Sequence, residues 1–312
     1  MSNFLTVSSS PHLRHPDTTR GIMADVIIAL VPAAVFGCIG FGWYAALVLA
    51  VCMAAAVLAE FVWNLCLKKE QSIGDLSAVV TGLLLGMNLP PEIPLWIAAI
   101  GSVVAIIVVK QMFGGLGHNF ANPAIAARIV LMVSFPTHMT RFVEPFTDAV
   151  SSATPLAGGE YNIKELFFGT HGGCIGECFS FLLIVGGIYL LLRRVISPII
   201  PLSFIGTVAL TALCVGENPV KWILSGGVML GAIFMATDYT TSPTTPLGKL
   251  IFGIGCGLFT FVIRHFGALP EGVSYAILLM NILTPHINRF TAARPFGLPK
   301  PQKEKKGAAE NE

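Results

Sequence analysis

Charge is what this sequence has least of. Lysine, arginine, aspartate and glutamate together make up 12% of its 312 residues, against about a quarter in soluble domains. That shortage excludes an ordinary water-facing surface, and a net charge of +2 supplies no basic stripe for nucleic acid. Cysteine is also sparse. Cys38, Cys52, Cys66, Cys214 and Cys256 lie in or beside apolar runs, where a free thiol packs as a small hydrophobe. Cys174 and Cys178 are spaced like one helical turn, but no second pair completes an iron–sulfur or zinc site; a disulfide outside the cytoplasm is the alternative. Strict polar–apolar alternation is missing too, which excludes a transmembrane barrel.

What is present is apolar surface. Hydrophobic residues make up 54% of the chain, and the mean hydropathy is +0.76. The chain reads as an all-α integral membrane protein. Ten apolar runs of helical length are predicted: Ile22 to Ile39, Trp43 to Leu65, Leu76 to Leu89, Leu95 to Val109, Pro123 to Phe135, Phe179 to Leu192, Ile199 to Val215, Val220 to Ala236, Leu247 to Ile263 and Val273 to Pro285. The third, fifth and tenth are short for a full crossing, so they are expected to be tilted, broken or backed by protein.

Residues 1–21 are polar and carry Arg14 and Arg20; they read as a retained arm rather than a cleaved signal. With ten crossings, Lys68, Lys69, Lys110, Arg193, Arg194, Lys249, Arg289, Arg294, Lys300, Lys303, Lys305 and Lys306 share the side of both termini. Arg141, Lys164, Lys221 and Arg264 fall opposite, with Arg128 inside the fifth run. The positive-inside rule therefore puts both termini in the cytoplasm of a bacterial cell membrane. The expected organisation is an arm (1–21), a first five-helix unit (22–135), an external loop (136–178), a second five-helix unit (179–288) and a basic tail (289–312).

The two units show internal similarity. Phe113-Gly114-Gly115-Leu116 aligns with Phe266-Gly267-Ala268-Leu269, and Asn88 falls where Asp238 falls in the second copy. Two units with an odd helix number must be inverted relative to one another, which places a site between them. Chance similarity among glycine-rich membrane segments is the alternative.

Two interrupted stretches concentrate the polar groups. In Gly114-Gly115-Leu116-Gly117-His118-Asn119-Phe120-Ala121-Asn122-Pro123, glycines such as Gly115 allow close backbone approach to a flat ligand. Asn119 and Asn122 each offer a donor and an acceptor without a buried charge. A helix cap with a tight turn is the plainer reading. In Met235-Ala236-Thr237-Asp238-Tyr239-Thr240, Asp238 could orient a ligand, bind a cation or cap the next turn. The external loop carries Ser151-Ser152-Ala153-Thr154-Pro155-Leu156, in which hydroxyls precede a proline turn.

These blocks occur in an order that resembles the RnfD/NqrB family of membrane redox subunits. The resemblance extends from Ser10-Pro11-His12-Leu13-Arg14 and Thr19-Arg20-Gly21 through the blocks above to Pro270-Glu271-Gly272-Val273 and Met280-Asn281. The length is more like RnfD than NqrB. One departure is Ala121, where the family pattern has phenylalanine.

The resemblance implies FMN attached to Thr154 through a phosphoester, with Ser151, Ser152 and Ala153 beside it. It also implies a second, noncovalent flavin (riboflavin or FMN) near Asn119, Asn122, Gly115 and Asp238. Electrons would pass between ferredoxin and NAD within an Rnf complex, with RnfA, RnfB, RnfC, RnfE and especially RnfG as partners, coupled to Na+ or H+ movement. Membrane lipid is expected around the chain, and no nucleic acid. Polar groups inside apolar spans nominate Asp25, Glu60, Asp75, Asn88 and Asp238 for ion contact, Asp25 and Asp238 foremost. The alternatives are an NqrB-like role in a Na+-pumping NADH:quinone oxidoreductase, a cofactor-free inverted-repeat transporter, and a structural anchor.

Overall fold

A chain in lipid must satisfy its own backbone hydrogen bonds, and the computed structural model, which describes residues 17–147, 162–267 and 272–292, does so with helices. Among the described residues, extended pairing is limited to one isolated bridge, Val143 with Gly173. In chain order the helices begin with α1 (Thr19–Phe41), α2 (Trp43–Cys66), α3 (Ser77–Met87) and α4 (Leu95–Val103), which continues as a π-helix over Val104–Gln111. There follow α5 (Pro123–Ser134), the connectors α6 (Pro136–Met139) and α7 (Ile163–Phe168), then α8 (Ser180–Leu192) and α9 (Ile199–Val215). Next come α10 (Pro219–Leu224) and α11 (Val228–Leu230), the latter prolonged by a π-helix over Gly231–Met235, and finally α12 (Pro246–Phe266) and α13 (Gly272–Thr291). Helices α1, α2 and α12 are long and apolar enough to cross a bilayer, with mean hydropathies of 2.4, 2.5 and 1.8.

Local chemistry sets several boundaries. Asn122, Asn218 and Thr245 each accept hydrogen bonds from the first turn of a helix whose first residue is proline: Pro123, Pro219 and Pro246. Proline there lacks only an N–H that had no intrahelical partner.

Most predicted runs became helices, with three corrections. The tenth is not short, because α13 passes through Pro285 for 20 residues. The Thr284 hydroxyl bonds the Met280 carbonyl and, across to the chain before α12, the Thr241 carbonyl, which pins the turn around the proline. The eighth run is not continuous; it breaks after Leu224, where Gly226 and Gly227 take φ of 65° and 73°. The Arg264 guanidinium donates to the carbonyls of Trp222, Ser225 and Gly226 at that break, so carbonyls released from the helix still have partners in the membrane. The sixth run, α8, is short, at 13 residues.

Close helix contact uses small residues, as expected where lipid removes the hydrophobic drive between helices. Gly82 of α3 sits so near α2 that a Cβ would come within 2.7 Å of the Cys52 carbonyl oxygen. Gly253 and Gly257 of α12 press on Ser203, Phe204 and Thr207 of α9 in the same way. Residues of α1, α3, both π-helical stretches and the loop before α5 meet in one region.

Candidate functional site

That region contains an open cavity of about 770 Å³, counting the space at its mouth. Its walls are mostly aliphatic: Ile22, Met23 and Val26 of α1, Val80 and Leu84 of α3, Leu190 of α8, Val195, Ile196 and Phe234. Polar groups enter from three directions. Ser77 and Thr81 come from α3, Asn119 and Asn122 from the loop before α5, and Thr237, Asp238 and Thr240 from the chain after the second π-helix. Lys110, in the first π-helix, also lines it. Both π-helical stretches thus end at this cavity, in keeping with the concentration of such irregular turns at functional sites.

The loop from Met112 to Ala121 is shaped by Gly114, Gly115 and Gly117, with φ of 122°, 94° and 90°. Residues with a Cβ rarely adopt those angles, and the resulting turn delivers Asn119 and Asn122 to the cavity. Gly115 itself is buried behind the wall, while Leu116 lines it.

The two asparagines divide the work. Asn122 accepts from the amides of Ala124 and Ile125 and donates to the Met235 carbonyl at 3.2 Å. It is both the cap of α5 and a tie to the second π-helix. Asn119 is different: its Oδ1 is buried and has no hydrogen-bond partner. An orphaned acceptor on a cavity wall costs free energy until something donates to it.

Asp238 is half-buried and accepts from the Thr240 amide and hydroxyl and the Thr241 hydroxyl. Burial pushes its carboxyl above the ordinary value, against the pull of those hydrogen bonds. Neighbouring Tyr239 is pushed up to about 12 by burial and by the carboxylates of Asp238 and Asp75.

The other nominated groups have protein partners. Asp25 accepts from the Tyr189 hydroxyl at 2.8 Å and pairs with Arg193 at 3.1 Å, tying α1 to α8 beside the cavity. Glu60 is fully buried and pairs with Lys110 at 2.9 Å. Asp75 caps α3 through the Ser77 amide and hydroxyl. Asn88 donates to Leu84 and to the Met235 sulfur, and its oxygen accepts from Arg128. Arg128 also pairs with Glu177 at 3.0 Å and donates to Ser274. This buried pair and the cavity-facing position of Lys110 were not singled out from sequence. Lys110, at a run end, satisfies the positive-inside rule without further comment; Arg128 stands inside the fifth run, and its partner Glu177 lies 49 residues on in a polar loop. Ser151, Ser152, Ala153 and Thr154 lie outside the described residues.

Across residues 6–297 the chain matches the model of the NQR2, RnfD, RnfE family. The chain belongs to this family. Within it, the chain is 50% identical to the D subunit of the Na(+)-translocating ferredoxin:NAD(+) oxidoreductase complex of Acetobacterium woodii, covering 97% of this chain and 98% of that one. It is 43% identical to the D subunit of the proton-translocating ferredoxin:NAD(+) oxidoreductase complex of Clostridium ljungdahlii, over 95% and 97% of the two chains. The D subunit of the ion-translocating oxidoreductase complex of Halorhodospira halophila is 35% identical, over 93% and 94%. The resemblance to RnfD therefore holds over nearly the whole chain.

The noncovalent flavin implied by the family fits the residues of the cavity. Aliphatic walls suit the faces of a flat ring, and the orphaned Asn119 Oδ1 matches a ring N–H at the polar edge.

Proposed function

We propose that this protein is the RnfD subunit of an Rnf-type complex that transfers electrons between ferredoxin and NAD and couples that transfer to Na+ or H+ movement. Whole-length identity to the D subunits of two ferredoxin:NAD(+) oxidoreductase complexes carries the reading. The role of NqrB-like quinone reductase is the second reading, since the family includes NQR2. Purified complex that reduces NAD with ferredoxin supports the first, and one that reduces quinone with NADH supports the second.

Two flavins belong to the proposal. Thr154, in the Ser-Ser-Ala-Thr-Pro-Leu segment, would hold FMN through its phosphate, and that flavin would supply a redox centre for exchange with RnfG. Riboflavin or FMN occupies the cavity without a covalent bond. A flavin supplies the chemistry, accepting and passing on one or two electrons. The protein supplies the rest. Asn119 offers its free acceptor to a ring N–H. Asn122 holds the start of α5 against the second π-helix, fixing the distance across the cavity. The aliphatic walls exclude water from the ring faces. Asp25 and Asp238, at the edge of the same region, are the groups through which ion movement would respond to ring charge. An inverted relation between the two five-helix units, with termini in the cytoplasm, completes the reading.

The test of the covalent site is in-gel flavin fluorescence and intact mass of the polypeptide expressed with a flavin transferase. A fluorescent band with an FMN-sized increment, lost in Thr154→Ala, is the expected result. A folded wild-type chain without the increment overturns the covalent attachment.

A further inference from the structure

We propose that Lys110 is the electrostatic residue of the cavity, a fixed cation that makes the protein hold the reduced flavin ring more tightly than the oxidised ring. The proposal rests on the reading that a noncovalent flavin occupies the cavity.

Among the described residues, Lys110 is the one cationic side chain lining the cavity, and it is 1% exposed. Its position is held on two sides. The Nζ donates to Glu60 Oε1 and Oε2 at 3.1 and 2.9 Å and to Ser77 Oγ at 2.6 Å. Glu60 is itself fixed by Gln111 and by Ser72, and Ser77 by Asp75. The arrangement is asymmetric in a way that matters. Lys110 and Ser77 face the cavity, whereas Glu60 and Asp75 stand behind them and do not line it. A ligand therefore meets the cation before the carboxylates.

The three bonds at Nζ match the three protons of an ammonium group, leaving none for a hydrogen bond to a ligand. Lys110 therefore acts by charge alone, and charge acts where charge changes. An oxidised flavin ring is neutral; taking two electrons and one proton, from a low-potential carrier protein and from water respectively, it becomes a reduced ring with one negative charge. In a cavity walled by aliphatic side chains, a nearby fixed cation favours the anionic product over the neutral reactant. Asp238, elsewhere on the wall, acts in the reverse sense. The ring meets charges of both signs.

Differential affinity for two redox states is the same quantity as a shift in potential. The experiment uses the full chain in lipid nanodiscs, in a Thr154→Ala background so that covalent flavin does not contribute, with riboflavin as the probe. Affinities for oxidised riboflavin and for dithionite-reduced riboflavin are measured separately. The variants are Lys110→Arg, which keeps the charge, and Lys110→Gln combined with Glu60→Gln, which removes the ion pair without leaving a buried carboxylate alone. The double variant is expected to weaken the reduced ring at least tenfold more than the oxidised ring, a fall in potential of about 30 mV for a two-electron couple. Lys110→Arg is expected to preserve the wild-type ratio. Equal losses in both redox states, or none in either, overturn the proposal and leave Lys110 a structural residue. Riboflavin that fails to bind folded wild-type chain overturns the flavin reading, and the proposal with it.

Discussion

Among the described residues Lys110, Arg128 and Arg264 are buried basic side chains, and the first two are buried differently. Arg128 is enclosed by Asn88, Ser274 and Glu177, groups from the C-terminal cap of α3, from α13 and from the loop before α8. Lys110 is held just as firmly, by Glu60 and Ser77, but with one flank against a cavity whose wall includes an acceptor lacking a donor. The first cluster is surrounded by protein; the second, whose ammonium also finds its three bonds within the protein, borders open volume. Burial and charge therefore do not by themselves mark a site in a membrane. Unmatched polarity beside open volume does.

The sharpest way to break this contrast is to remove Arg128. Arg128→Met leaves Glu177 buried without its partner, and such losses cost about 3 to 5 kcal/mol. We expect severe loss of folded protein in detergent, read by size-exclusion recovery and thermal unfolding. Adding Glu177→Gln should restore a large part of it, since the lone charge is then gone. A normal melting temperature for Arg128→Met alone would show that the cluster is not the structural tie described.

Next in size is Asn122→Ala. It removes the cap of α5 and the bond to the Met235 carbonyl, a loss of about 0.5 to 2 kcal/mol for the cap alone. Stability should fall, and riboflavin affinity with it, because the tie spans the cavity. Asn119→Ala separates the two effects. It removes an acceptor with no protein partner, so folding should be unchanged or slightly improved, while riboflavin binding weakens by roughly fivefold, the worth of about one neutral hydrogen bond. Equal destabilisation by both substitutions would erase the distinction between the two asparagines.

The same distinction explains what the sequence revealed. The helices were legible because apolar runs such as Ile199–Val215 have the length of a membrane span and sit between polar residues. Asn119, Asn122 and Asp238, which line one cavity, stood out in the sequence as well, because glycines and a proline interrupt an apolar run at the first place and an acid with clustered hydroxyls ends one at the second. The break at Ser225–Gly227 was not. Serine and glycine within an apolar run look the same whether they pack helices closely or end one, and what decides is Arg264, on a distant helix, reaching the freed carbonyls. Pro285 misled in the opposite direction, since Thr284 supports the turn through a bond that is long-range in sequence. Lys110 escaped notice because its partner Glu60 lies 50 residues away. Only folding shows that this lysine is turned inward rather than toward phosphate headgroups.

The smallest expected effect concerns Asp238, the acidic counterpart of Lys110 on the cavity wall. Burial raises its carboxyl above the ordinary 3.8, although Thr240 and Thr241 donate to it. The folded chain thus holds this proton more tightly than the unfolded chain. The group's contribution to stability is fully present below the unfolded value and declines as pH rises through the higher folded value. Asp238→Asn cannot ionise, so its melting temperature should fall less than that of wild type as pH rises above the ordinary carboxylate value, by an amount set by this one group. The substitution keeps one oxygen acceptor for the threonines, which limits any loss at the turn. Parallel pH profiles for the two proteins would mean that Asp238 is solvated well enough to ionise without cost. The cavity would then present its ligand with a hydrated carboxylate, screened by water, and Lys110 would be the one wall charge acting at close to full strength.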